Sequence, residues 1–214
     1  MSRFFKKRGP GRSYGRGMDT NPVKTYGIGE LLEMARERAL PVVAGIPDTA
    51  LDGPTPCAEY DVKALFNHLL HVVVQFQRLA VKQDSDFSET PDRLAAGPEW
   101  RALFAEETDR LVEVWSAPGA EEGTTGAMNM PARLVGSMAL LDLTVHVWDL
   151  ARATGQEYPS ADEAVVAELA AAVAELEPTA RKMGVFGAPV PVAEDAPPFE
   201  RLLADTGRDP HWTP

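Results

Sequence analysis

Asp142 and His146 stand four residues apart in the run Asp142-Leu143-Thr144-Val145-His146-Val147-Trp148-Asp149-Leu150, inside an otherwise apolar helical stretch. On an α-helix this spacing stacks a carboxylate and an imidazole one turn apart on the same face, where both can grip one metal ion. A third donor, His68, lies in a second apolar helical run, Ala64-Leu65-Phe66-Asn67-His68-Leu69-Leu70. Three N/O ligands from two helices make an open site that leaves a position for a substrate or an activated thiol. The same residues also suit a metal-free core, with Asp142 and His146 hydrogen-bonded and His68 a neutral residue elsewhere.

The remaining polar candidates divide by position. Asp149, three residues after His146, is placed to be an outer-shell partner or a fourth ligand, since ligating imidazoles donate their second N–H to an acceptor. Arg152, three further on, offers Asp149 a simpler role as half of an exposed ion pair. His71 falls round the helix from His68 and is expected at the surface, as is His211 in the tail. Cys57 reads as a small packed residue in a Pro-bracketed turn, with a reactive thiol at a helix entrance as the other reading.

Several helices must carry these groups. Residues 28–40 have the three-four spacing of a buried face, with Pro41 expected as a kink or boundary. Asp61 is placed to cap a second helix over residues 62–82, with Val62, Leu65, Leu69, Val72, Phe76 and Leu79 as its stripe. A long connection follows over 83–98. A third helix runs from Glu99 to Ser116, a fourth from about Pro131–Val135 to Thr154 with Gly155 as its stop, and a fifth over 161–178. The tail from Gly184 is rich in Pro and Gly, with a turn of helix at 199–203. No strand pattern or repeat stands out. The expectation is an all-α, up-and-down four-helix bundle with an extra short helix and a Pro/Gly-rich C-terminal tail.

The 214 residues give one domain with a substantial core. The formal net charge is -11, yet residues 1–18 hold six cations and no acid. The body is therefore acidic enough to repel phosphate backbones, and nucleic-acid binding is not expected. The basic head, residues 1–20, lacks the apolar core of a signal peptide and reads as a flexible extension ahead of a helical bundle over 25–214. With a single cysteine there is no internal disulfide framework, and no apolar run is read as a bilayer span, so a cytoplasmic protein without membrane partners is expected.

Three separated segments carry a resemblance. Pro54-Thr55-Pro56-Cys57-Ala58-Glu59-Tyr60-Asp61-Val62, followed by Leu65-Phe66-Asn67-His68-Leu69, resembles the TPC-x-x-W-x-V…L-x-x-HL segment of an actinobacterial metal-binding family. That family is related to the N-terminal domain of mycothiol-dependent maleylpyruvate isomerase, within the DinB-like helical superfamily. Asp142 to Ala151 is similar to its second signature, a carboxylate, three residues, then H-x-W-D-L-A. The stretches Phe186 to Val190, Arg201 to Leu203 and Thr206 to Pro210 are similar to its C-terminal end. The resemblance spans roughly residues 25–210.

It implies a DinB-like bundle with His68, Asp142 and His146 as ligands to a divalent metal, zinc in the first place and nickel, cobalt or iron as alternatives. It further implies a thiol-dependent transferase or isomerase, in which the metal activates a low-molecular-weight thiol such as mycothiol against an electrophilic small molecule. A homodimer fits the superfamily. Tyr60 stands where many relatives have Trp, and Asp142 is one methylene shorter than the isomerase's Glu. The isomerase has a further C-terminal domain that this chain ends without, so maleylpyruvate isomerase activity itself is not expected. The alternatives are a metal-dependent hydrolase that activates water, and a non-catalytic metal-binding or interaction protein.

Overall fold

The computed structural model describes residues 24–214, apart from Pro159. The basic head therefore lies outside the described residues. Six helices follow one another: α1 (Ile28–Ala44), α2 (Val62–Ala80), α3 (Trp100–Ser116), α4 (Ala132–Ala153), α5 (Glu163–Lys182) and α6 (Pro198–Asp205). Each start is close to its sequence signal. Asp61 caps α2 by accepting a 2.7 Å hydrogen bond from the Ala64 amide. Gly155, at φ +68°, follows the end of α4, where the left-handed conformation favours glycine.

Two helices outrun their expected ends. Pro41 lies inside α1 and Pro178 inside α5, each on an exposed face. Proline removes an N–H and crowds a carbonyl of the preceding turn, but Val42 and Val43 just beyond Pro41 are buried. Packing therefore carries α1 one turn past the proline. The loop before α4 also differs from expectation, because it contains a small antiparallel hairpin, β1 (Thr124–Thr125) with β2 (Met130–Pro131). Two-residue strands are too short to show an alternating pattern.

α1 and α2 each pack against both α3 and α4, so α1 lies diagonal to α2 and α3 diagonal to α4. This departs from a simple up-and-down order, in which consecutive helices are neighbours. The long connections 45–61 and 117–131 make the diagonal crossings. α5 leans on α4 and α1, and α6 on α5.

Crowding from several sides explains α4. Its run from Ala139 to Ala151 is buried except at Asp142. By length and composition α4 is apolar enough to cross a membrane, contrary to the sequence expectation, but 83% of its most apolar stretch is buried inside this protein. The apolarity belongs to the core.

Candidate functional site

Four segments meet at a cavity of about 270 Å³. α2 contributes His68, and α4 contributes Leu141, Asp142, Val145 and His146. The loop ahead of α2 brings Cys57, Glu59 and Tyr60, and the C-terminal segment brings Phe186, Thr206 and Arg208. The loop is set by Thr55, whose buried hydroxyl lies 2.9 Å from the carbonyl oxygens of both Cys57 and Tyr60. Tyr60 then stacks on His68, with ring centres 5.2 Å apart and planes 18° from parallel. An aromatic residue at this position fixes the imidazole's plane.

Within the cavity, the His68 and His146 rings meet edge to face at 5.2 Å between centres. His146 Nε2 points toward Asp142 Oδ1 at 3.6 Å, while its Nδ1 lies 3.1 Å from Asp149 Oδ2. An N–H on Nδ1 donates to that carboxylate and leaves the Nε2 lone pair facing Asp142 and the cavity. Asp149 Oδ2 also accepts from Arg208 Nη2 at 3.2 Å. The structure thus brings His68, Asp142 and His146 to one cavity and sets Asp149 behind His146.

Burial pushes the His68 pKa down to about 4, helped by the nearby His146, His71 and Arg208. The Asp142 pKa is raised, mainly by burial, against the opposing pull of His146 and Arg208. Its side chain keeps 30% of its surface open, toward the cavity. Burial also raises the Cys57 thiol pKa, which Arg208 only partly offsets. Cys57 is half-buried on the cavity wall, where burial opposes its thiolate form.

Three expectations are corrected. Asp149 has no exposed side-chain surface and does not pair with Arg152, whose guanidinium donates instead to the Trp212 carbonyl at 2.6 Å. α4 is crowded on the face that was read as solvent. His71 is buried, with Nε2 2.9 Å from the Asp86 carbonyl oxygen, because the 83–98 connection folds back over α2. Asn67 ties down the same connection by accepting from the Arg93 amide at 2.9 Å. The tail, finally, is docked through Phe199, Leu202, Leu203, Thr206 and Arg208, which are buried, while other tail residues such as Val185 and His211 stay exposed.

Arg208 is the site residue that sequence reasoning left without a role. The signal was indirect: a carboxylate inside the core helix needs a cation, and no basic residue on α4 faces it.

The residue types of His68, Asp142 and His146 suit a divalent ion. Two imidazoles bound to one ion at ~2.0–2.1 Å, at a tetrahedral angle, hold their ring centres roughly 5 Å apart. The His68–His146 ring spacing of 5.2 Å is compatible with this, as it is with an ordinary edge-to-face contact. A cation between them would also favour the charged form of Asp142 and the neutral form of His68. A second, more compact group exists, since donor atoms of Cys57, His146 and Asp149 lie within 4.8 Å of one another. Asp149 Oδ1 also meets no hydrogen-bond donor among the described residues. That group is the poorer home for a cation. Its carboxylate is already paired with Arg208 and its imidazole nitrogen already engaged by that carboxylate.

A family model described as the mycothiol maleylpyruvate isomerase N-terminal domain matches residues 32–151. The chain belongs to this family. The match runs through all of α2 and most of α4, and so takes in His68, Asp142, His146 and Asp149. Two uncharacterized proteins of Mycobacterium tuberculosis, from strains CDC 1551 / Oshkosh and ATCC 25618 / H37Rv, are each 31% identical over 182 residues. Those alignments cover 82% of this chain and 96% of each relative, so the likeness to these proteins reaches well beyond residues 32–151. The crystal structure of the mycothiol-dependent maleylpyruvate isomerase shares the fold, with a TM-score of 0.51, 15% identity and 68% of each chain covered.

Proposed function

We propose that this family member binds a divalent metal, with zinc as the first choice, and uses it with a low-molecular-weight thiol of the mycothiol type to transfer or isomerise an electrophilic small molecule. The observation that carries this reading is the approach of the His68 and His146 rings at 5.2 Å, with Asp142 beside them on the same cavity. Family membership supports the thiol. A bound divalent cation would supply charge that favours the thiolate over the thiol.

The chain's own residues prepare the site. His68 and His146 offer ring nitrogens, and Asp142 supplies the negative charge that makes the set prefer a cation. Asp149 holds the His146 tautomer by accepting from Nδ1, and Arg208 balances the Asp149 charge so that it can stay buried. Tyr60 orients His68. Phe186 and the loop around Cys57 line the cavity sides.

The test is metal content by plasma mass spectrometry on the full chain, beside His146→Ala. Near-stoichiometric metal in the parent that is lost in the variant supports the site. Cobalt-loaded protein titrated with mycothiol should then develop a sulfur-to-cobalt charge-transfer band. A parent that folds but cannot be loaded with zinc, nickel or cobalt refutes the reading.

A further inference from the structure

A second cavity, of about 380 Å³, lies between α4 and α5 and shares Leu141, Asp142, Val185 and Phe186 with the first. Its outer wall is made by Met128, Met138, Leu176 and Met183. Met128, Met183 and Val185 are among the few large apolar side chains left exposed, at 64%, 64% and 62%. Apolar groups concentrated at one cleft, rather than scattered, mark a binding surface. Methionine suits ligands of variable shape, because its thioether chain is flexible and polarizable.

The charge pattern narrows the ligand. The ionisable groups on this cleft are Asp142 and Glu175, both acidic, and its lining holds no Lys, Arg or His. The adjoining cavity has one guanidinium, Arg208, whose Nη1 and Nη2 donate to the Thr206 carbonyl and to Asp149. The lining of the cleft itself therefore offers no basic side chain to receive a carboxylate or phosphate on the ligand's tail.

We infer that the methionine-lined cleft between α4 and α5 is the binding site for the uncharged, apolar or aromatic portion of the electrophilic substrate, whose reacting end reaches the first cavity past Asp142. This deepens the reading of the metal site and rests on it for the word substrate. The cleft itself is testable without any metal. Adjacency favours a small molecule over a partner protein, since the cleft shares Leu141, Asp142, Val185 and Phe186 with the proposed metal cavity.

The probe is N-phenyl-1-naphthylamine, a neutral aromatic dye, titrated into chelator-treated full-length protein and followed by fluorescence. Saturable binding is expected, weakened about ten-fold or more by Ala180→Trp, which fills the cleft. Met128→Ser/Met183→Ser, at exposed positions, should also weaken binding and serves if the tryptophan disturbs folding. A sulfonated analogue of the dye should bind about ten-fold more weakly, and Glu175→Gln should narrow that gap.

Dye affinity untouched by the cleft variants overturns the inference, as does equal affinity for the sulfonated analogue. Loss of the dye signal as protein self-associates would assign the face to a second copy of the chain, and also overturns it. Metal content measured on the same proteins before chelator treatment separates this failure from failure of the metal site.

Discussion

Arg208 Nη2 lies 3.2 Å from Asp149 Oδ2, joining a guanidinium on the C-terminal segment to a carboxylate on α4 that has no exposed surface. Burial opposes the Arg208 charge, but Asp149, with Cys57 and Asp142, outweighs it and raises the guanidinium's pKa. A buried pair contributes little net stability when intact, yet losing one member strands the other. Arg208→Met should therefore cost about 3–5 kcal/mol in chemical denaturation. Arg208→Met/Asp149→Asn should recover a large part of that loss. Equal destabilisation of the single and double variants would show that the pair is not the cause.

Asp149 also governs how His146 presents its Nε2. Asp149→Asn keeps the shape but can offer its N–H₂ group to Nδ1, which disfavours the required tautomer. Metal affinity should fall about 10–100-fold, measured by competition with a chromophoric chelator. Cys57→Ser should leave that affinity within about two-fold, because the thiol lies outside the proposed ligand set. A reversed result, with Cys57→Ser abolishing binding, would move the ion to the Cys57–His146–Asp149 group.

The pH dependence of the chelator-treated protein follows from His68. Its folded pKa of about 4 lies below the ordinary 6.5, so in acid the unfolded chain takes up a proton that the folded chain resists. The His68 contribution is full above pH 6.5 and is lost as pH falls toward 4, on the order of 3 kcal/mol in all. Asp142 acts in the opposite sense: burial raises its pKa, so the folded state retains a proton that the unfolded state loses. His68→Gln should flatten the fall in urea midpoint between pH 7 and about pH 4.5, and Asp142→Asn should steepen it. The same slope in all three proteins would contradict the burial of both groups.

The helices and the ligand candidates were legible because their signals are local. Asp61 as a cap, the Asp142/His146 spacing and the apolar run around His68 need only their neighbours in sequence. The errors came from long-range contacts. Nothing near His71 announces that the 83–98 connection will cover it, and nothing near Asp149 shows that its cation is Arg208, 59 residues on. The diagonal placement of consecutive helices is likewise a property of connections and packing. Periodicity reports which face is buried, but not against which helix.

Closure of the site by the C-terminal segment depends on Gly207. Its φ of +88° lies in the left-handed region, and a Cβ there would come within 2.7 Å of the Gly187 Cα. Arg181 on α5 braces both sides of this contact, donating to the Gly187 carbonyl and, at 2.7 Å, to the Asp205 carbonyl. Gly207→Ala therefore adds backbone strain to a clash that no side-chain rotation relieves, about 1–3 kcal/mol in unfolding experiments. The local effect should be larger than the global one, because Arg208 is the next residue and must shift with the segment. Hydrogen exchange should rise at 184–187 and 205–208 and stay unchanged in α1 and α3. Uniform exchange increases across the bundle would mean that the segment is an inseparable part of the core rather than the wall that closes the site.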